Sequence, residues 1–256
     1  MRVLVTNDDG IYAPGLAALA EAVSVFGETR VVAPLAEQSG VSHSITYLTP
    51  LLARVIEKDG RVFGHAVAGS PADCVKLAVL ELCDERPDLV VSGINSGSNS
   101  GIDVLYSGTV AAAIEGAFFG IPAIAVSLTT DAAPDYPKAI RLVRALIGQI
   151  LDLKPRPGSL WNINLPDSRP GWPVGVRTVP VSLARDRDVM IRRVDPRGRT
   201  YYWPDVDNSV ATSHHPDTDV EALAEGYATI TPLQFDLTDR DTLRTLEGKT
   251  WKLDGE

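Results

Sequence analysis

Near its N-terminus the chain reads Val3-Leu4-Val5-Thr6-Asn7-Asp8-Asp9-Gly10. The apolar run predicts a buried strand over residues 2–6, and two adjacent carboxylates follow it directly. In an open α/β sheet, ligands bind beyond the carboxyl ends of the strands, which is where Asp8 and Asp9 would lie. Neighbouring carboxylates raise each other's pKa unless a cation sits between them, so the pattern indicates a metal site. A solvated turn is the alternative, because Asn, Asp and Gly are also common turn residues.

Short apolar runs alternate with helical patterns through the first half of the chain. The runs lack regular polar alternation, which is typical of parallel strands buried on both faces. This pattern predicts an α/β fold with a Rossmann-like, mostly parallel sheet. Strands are predicted at Val3–Val5, Val31–Ala33, Leu89–Val91, Ala123–Val126 and Leu160–Leu165, and helices from Gly15 to about Phe26, from Pro71 behind the cap Ser70, from Ser107 to about Phe119, and over Lys138–Leu151.

The second half has a different texture. From Arg169 onward the chain is rich in proline, tryptophan, arginine and aspartate, with short β-like pieces at Val174–Val179 and Tyr227–Ile230 and a short helical pattern at Asp239–Leu246. We therefore divide the chain into a catalytic core over residues 1–168 and an extension of hairpins and a short helix over residues 169–256. Aromatic residues of the extension, including Trp203, offer apolar area without the periodicity to close a core. This favours pairing with a second copy of the chain.

Composition excludes several classes of protein. The formal net charge of −9 over 256 residues disfavours a protein that binds a nucleic-acid duplex through its phosphates. No apolar run is long enough to span a bilayer, and no leader-like pattern precedes the first strand, so we expect a cytoplasmic protein without membrane contact. Cys74 and Cys83 have a spacing that suits neither a disulfide framework nor a zinc site.

Polar, glycine-rich loops follow the other predicted strands. Glu37–Ser44 follows the second strand of the sequence, and Ser92–Asn99 follows the strand at Leu89–Val91. Strand-end loops of a parallel sheet converge on one edge, so these segments should line one crevice with Asp8 and Asp9. Carboxylate, hydroxyl and amide oxygens are hard ligands that suit Mg²⁺ or Mn²⁺ and leave room for substrate phosphate.

Ser107-Gly108-Thr109 opens a predicted helix. Backbone N–H groups and the positive end of the helix dipole would make this start a phosphate cradle. An ordinary helix cap is the alternative, because serine and threonine cap many helices. We interpret His43 as a surface or structural histidine and not as a catalytic base, since no partner carboxylate can be identified. His214-His215 is too poor in partners for a metal site.

Several polar and glycine-rich motifs follow one another along nearly the whole chain. The motifs are Val5-Thr6-Asn7-Asp8-Asp9-Gly10 with Ala13-Pro14-Gly15, Val32-Ala33-Pro34 before Gln38-Ser39-Gly40, Gly69-Ser70-Pro71-Ala72-Asp73-Cys74, Val91-Ser92-Gly93-Ile94-Asn95 with Gly97 and Asn99, Tyr106-Ser107-Gly108-Thr109-Val110-Ala111-Ala112-Ala113, Asn162-Ile163-Asn164-Leu165-Pro166, Asp195-Pro196-Arg197-Gly198 and Gly226-Tyr227 with Ile230-Thr231-Pro232-Leu233. Together they resemble the SurE survival-protein family, and their number makes the resemblance specific.

The resemblance implies a phosphatase that depends on a divalent metal, with one Mg²⁺ or Mn²⁺ per subunit. Its substrates would be nucleoside 5′- and 3′-monophosphates, with polyphosphate as a further one, and the extension would join a homodimer or tetramer. By position, the implied metal ligands are Asp8, Asp9, Ser39 and Asn95. The implied phosphate or catalytic contacts come from Asn95, Asn99, Ser107, Gly108 and Thr109, and the catalytic set is Asp8, Asp9, Asn99 and Ser107.

Alternatives stay open at this point. A haloacid-dehalogenase-type phosphatase needs two acids separated by one residue, whereas Asp8 and Asp9 are adjacent. A nucleotide-sensing module would use the same metal and phosphate site without turnover. The attacking group could be a water with an Asp as proton acceptor, or an Asp that forms a phosphoaspartate, although a carboxylate bound to the ion is the weaker nucleophile.

Overall fold

The computed structural model describes residues 1–129, 134–167, 169–184, 188–206 and 217–251. The strands are β1 (Arg2–Thr6), β2 (Glu28–Pro34), β3 (Ala53–Lys58), β4 (Arg61–Val67), β5 (Leu89–Ser96), β6 (Ala123–Leu128), β7 (Leu160–Leu165), β8 (Val176–Thr178), β9 (Asp188–Val194), β10 (Thr200–Val206) and β11 (Ala228–Leu233). Most of the described strands form one sheet, in the order β3-β4-β2-β1-β5-β6-β7-β11-β8, and β9 and β10 form a separate antiparallel pair.

Helices cover both faces of this sheet. The helices are α1 (Pro14–Val23), α2 (Pro71–Leu77), α3 (Gly108–Phe118), α4 (Tyr136–Asp152), α5 (Asp219–Ala224) and α6 (Arg240–Thr245), with 3₁₀ turns at Ser24–Phe26 and Gly101–Leu105 and a π-turn at Ala78–Leu82. One core packs α1 and α4 against the sheet, and the other packs α2 and α3 against the opposite face. None of the described helices is both long enough and apolar enough to cross a membrane.

The central strands are buried on both sides, which explains their continuous apolar runs. In β1, Val3 and Val5 face the core under α1, whereas Leu4 faces the core under α2 and α3. Neighbouring strands from β4 through β7 run parallel to one another. The α/β fold with a mostly parallel sheet is therefore confirmed.

The C-terminal segment shares this sheet. β11 pairs antiparallel with β7 and parallel with β8, so two strands from beyond residue 168 extend the core sheet, while β9 and β10 form the separate hairpin. The boundary at residue 168 stays a prediction. Helix α5 and the hairpin of β3 and β4 were not predicted from the sequence. Most residues of β3 are exposed, so the strand carries no buried pattern to read.

Candidate functional site

An open cleft of about 440 Å³ lies at the carboxyl edge of the sheet, beyond β1 and β5. Its lining brings together side chains from three loops and the start of α3. Of the predicted residues, six line it: Asp8, Asp9, Ser39, Asn95, Asn99 and Ser107. Glu37, Gly40, Ser96, Ser98, Asp103 and Tyr106 complete the lining.

Asp8 is nearly buried and is held by the start of α3. Its Oδ1 accepts the Thr109 hydroxyl, and the Thr109 backbone N–H also bonds to the carboxylate. Burial raises the pKa of Asp8, although the bonds from Thr109 act in the opposite direction. Thr109 is fully buried and therefore orients Asp8; the phosphate contact that the resemblance implies for Thr109 stays a prediction.

Asp9 is the more accessible of the two acids. Burial, followed by the charge of Asp8, raises the pKa of Asp9 to about 6. The Ser96 backbone N–H donates to Asp9 Oδ2 at 3.3 Å, which lowers the pKa only in part. Two partly desolvated carboxylates in adjacent positions thus resist being charged together, a condition that a cation would relieve.

The Ser39 hydroxyl is oriented by a residue that the sequence analysis did not select. Ser39 Oγ donates to Glu37 Oε1 at 2.6 Å. Because the hydroxyl proton is directed at Glu37, the oxygen lone pairs are left for a ligand. A carboxylate two positions before a proposed ligand is a signal that sequence reasoning could have used.

The amide of Asn95 is fixed in a similar way at the end of β5. Asn95 Nδ2 donates to the Gly97 carbonyl at 2.9 Å, so Oδ1 is the atom left to act as an acceptor or a metal ligand. This is the atom type that a hard cation prefers.

Ser107 is the N-cap of α3 and also lines the cleft. Its Oγ accepts the Val110 N–H at 3.1 Å, which leaves its own proton to donate. A Cβ at Gly108 would lie 2.8 Å from Asp8 Cβ, so only glycine lets the helix start approach Asp8 this closely. The cap and the phosphate-contact interpretations of Ser107 are therefore compatible.

Asn99 is positioned mainly by buried side chains of the sheet. Its Nδ2 donates to Ser127 Oγ at 2.8 Å, and one of the two Nδ2 hydrogens is left for the cleft. Asn162 and Asn164 of β7 bond to the Asn99 backbone. At the far end of the same loop, the Gly101 N–H donates to Asp219 Oδ2 at 2.9 Å.

The cleft is strongly acidic. Four carboxylates line it, from Asp8, Asp9, Glu37 and Asp103, and its described lining includes no lysine or arginine. A phosphate group entering this field would be repelled unless a cation neutralised it. The oxygen donors of Asp8, Asp9, Ser39 and Asn95 match the ligand chemistry of Mg²⁺ or Mn²⁺. The residues therefore fit a hard divalent cation.

His43 lies outside the cleft lining and has a partner that the sequence did not reveal. Its Nε2 is 2.8 Å from Glu115 Oε2 in α3, and its ring stacks on Phe118. These contacts agree with a structural histidine and correct the statement that no partner carboxylate could be identified. The pair His214-His215 lies outside the described residues.

Comparison with known proteins matches this chain to one family. The family model described as "Survival protein SurE" matches residues 3–187, a range that contains every lining residue. A protein of Rhodopirellula baltica named 5′-nucleotidase SurE is 50% identical over 260 residues, covering 99% of this chain and 99% of its own. A protein of the same name from Desulforudis audaxviator is 46% identical over 258 residues, covering 99% of this chain and 98% of its own.

A solved structure gives the same result in three dimensions. The crystal structure of the SurE protein from Aquifex aeolicus aligns with a TM-score of 0.83 at 34% identity, covering 96% of this chain and 98% of the other. The chain therefore belongs to the SurE survival-protein family.

Proposed function

We propose that this protein is a 5′-nucleotidase that hydrolyses nucleoside monophosphates with the help of one divalent metal ion per subunit. Relatives named 5′-nucleotidase SurE over nearly the full length support the activity. The observation that carries the metal dependence is the acidic cleft, in which Asp8 and Asp9 lie beside the start of α3. Hydrolysis of 3′-monophosphates and of polyphosphate belongs to the same proposal.

Asp8, Asp9, Ser39 and Asn95 would hold the ion. When bound, a divalent ion polarises a phosphoryl oxygen and lowers the pKa of a water molecule. Asp8 is kept in place by the hydroxyl and the backbone N–H of Thr109, which makes it the more rigid of the two acids.

Asp9 is the proton acceptor that we propose for the attacking water. It is more exposed than Asp8, and no side-chain hydroxyl of the described residues holds its carboxylate in the way that Thr109 holds Asp8. Asp9 lines the cleft, so its carboxylate is open to a water molecule there. The phosphoryl oxygens would accept hydrogen bonds from Asn99 Nδ2, from the Ser107 hydroxyl and from the Gly108 N–H at the start of α3.

Phosphate release from AMP, GMP and 3′-AMP, with and without Mn²⁺ and EDTA, tests the proposal. We expect release that requires the metal and is abolished in Asp8→Asn and Asp9→Asn, while both variants stay folded. Their metal-free stability should be equal to or slightly above wild type, since each change removes a carboxylate repulsion. Asp84→Asn is the control, because Asp84 pairs with Arg30 in a separate pocket and should keep full activity.

Two results would contradict the proposal. Unchanged turnover of both acid variants at saturating Mn²⁺ would remove the metal assignment. Binding of AMP without any phosphate release by the wild type would favour the nucleotide-sensing module.

A further inference from the structure

The loop between β5 and the Gly101–Leu105 turn is held by side chains where a backbone partner would be usual. The Asn99 N–H donates to Asn164 Oδ1 at 2.8 Å. The Asn99 carbonyl accepts from Asn162 Nδ2 at 2.7 Å and from Asn164 Nδ2 at 3.1 Å. Asn164 thus bonds both backbone groups of one residue, as a neighbouring strand would.

These two asparagines are buried in the sheet itself. Asn162 and Asn164 are fully buried and alternate with Ile163 along β7, so both side chains lie on one face of the sheet. Asn164 is paired with Ser127 of β6, and Ser127 Oγ accepts from the Asn99 side chain. The backbone of Asn99 is therefore held by β7, and its side chain is held by the neighbouring strand β6.

An asparagine amide is an expensive group to bury unless its hydrogen bonds are made. At Asn164 both amide atoms are used, and each bond goes to Asn99. At Asn162, Nδ2 is again used for Asn99, and Oδ1 has no hydrogen-bond partner in the described part of the chain. Among the contacts of the described residues, the polar atoms of this pair serve one loop residue that lines the cleft.

We propose that Asn164, assisted by Asn162, is a positioning residue that sets Asn99 against the phosphoryl group of the substrate. This role rests on the proposed nucleotidase function. A donor that must meet developing charge works only from a fixed position, and a misplacement of about 1 Å can cost on the order of 100-fold in rate. Asn164 touches neither metal nor substrate and acts through Asn99.

A double-mutant cycle tests this role. We expect Asn164→Ala to lower kcat for AMP by on the order of 10-fold to 100-fold while Mn²⁺ affinity, measured by calorimetry, is unchanged. Asn99→Ala should also lower kcat, and the double variant should lose no more than Asn99→Ala alone. Thr229→Val is the matched control. Thr229 is fully buried, lies opposite Asn164 on β11, and its hydroxyl has no hydrogen-bond partner among the residues that the structure describes, so kcat should not change.

The same four proteins are also compared by their affinity for inorganic phosphate in the presence of Mn²⁺, a measurement that needs no turnover. If the wild type releases no phosphate from AMP, the proposed function fails, and the phosphate-binding cycle still decides the role of Asn164. Multiplicative losses in the double variant, or wild-type kcat and phosphate affinity in folded Asn164→Ala, would overturn the positioning role. Should Asn164→Ala not fold, Asn162→Ala, which removes a single hydrogen bond, must show the same non-additivity with Asn99→Ala, and additive losses there would refute it.

Discussion

The Ser107 hydroxyl serves two partners at the start of α3. One of its lone pairs accepts the Val110 N–H, while its proton is free to be donated into the cleft. Stability and catalysis are therefore linked at one oxygen atom. A substitution that separates the two effects is informative because a helix cap alone would change only the first.

We predict that Ser107→Ala lowers kcat by on the order of 100-fold, as expected for the loss of a fixed donor to developing charge. The lost cap should also lower the free energy of unfolding by about 1 kcal/mol. Steady-state kinetics on AMP and urea denaturation measure the two effects separately.

Ser70→Ala is the matched control for this prediction. Ser70 caps α2 through the Asp73 N–H and does not belong to the lining of the cleft. Ser70 Oγ also donates to the Ser44 carbonyl at 2.6 Å, so Ser70→Ala should lower the free energy of unfolding at least as much as Ser107→Ala while kcat stays unchanged. If Ser107→Ala keeps full activity, Ser107 acts only as the N-cap of α3 and not as a donor to the substrate.

At the scale of elements, α2 shows how a short helix is fixed by its first turn. Ser70 and Asp73 form a capping box, and Asp73 also accepts the Thr46 N–H at 3.0 Å and the Thr46 hydroxyl at 2.6 Å. The capping box was visible as Ser70-Pro71-Ala72-Asp73, whereas the bonds to Thr46 join α2 to a loop that precedes it by more than twenty residues.

We predict that Asp73→Asn lowers the free energy of unfolding by about 1 kcal/mol at pH 7. Burial opposes the charge of Asp73, but hydrogen bonds from Thr46 and Ser70 outweigh it and hold the pKa of Asp73 below its usual value. Since the pKa is lowered in the folded state, the stabilisation is present above the unfolded pKa of about 4 and is lost as pH falls through the folded value.

Urea denaturation at pH 7 and pH 3 measures this difference between wild type and Asp73→Asn. The difference in the free energy of unfolding between the two proteins should be smaller at pH 3 than at pH 7. If this difference is the same at both pH values, or larger at pH 3, the charged Asp73 carboxylate does not stabilise the folded state in the way proposed.

At the scale of the whole molecule, the C-terminal segment depends on surfaces that it does not itself supply. β11 needs β7 as its antiparallel partner, and the hairpin of β9 and β10 exposes Tyr202 and Trp203. Trp251 is also exposed. A two-stranded hairpin rarely holds its own fold in water, and exposed aromatic area of this kind favours association.

We predict that the protein is a homodimer or tetramer that is joined through this segment. Light scattering at micromolar concentration should give a mass above that of one chain, and an isolated fragment covering residues 169–246 should not fold cooperatively. A monodisperse monomer with full nucleotidase activity would exclude obligatory assembly. A soluble fragment with a cooperative unfolding transition would exclude dependence on the core.

The sequence by itself determined the alternation of strands and helices, the parallel core and the position of the acids. Those features depend on patterns that repeat within a few residues: apolar runs in β1 and β5, a cap before Pro71, and acids immediately after a strand. The β-like pieces predicted at Val174–Val179 and Tyr227–Ile230 correspond to β8 and β11, but their places in the sheet depend on tertiary pairing, since β11 lies against β7 and β8 lies against β11.

Only the tertiary structure decided how the site residues are held. Thr109 bonds to Asp8 across 101 positions of sequence, and Asn162 reaches the Asn99 carbonyl across 63. His43 finds Glu115 across 72. A sequence pattern that repeats over a few residues cannot indicate such pairs, because each side chain contacts its partner only after the strands and helices have packed. The packing therefore determines which of the many asparagines and carboxylates belong to the site.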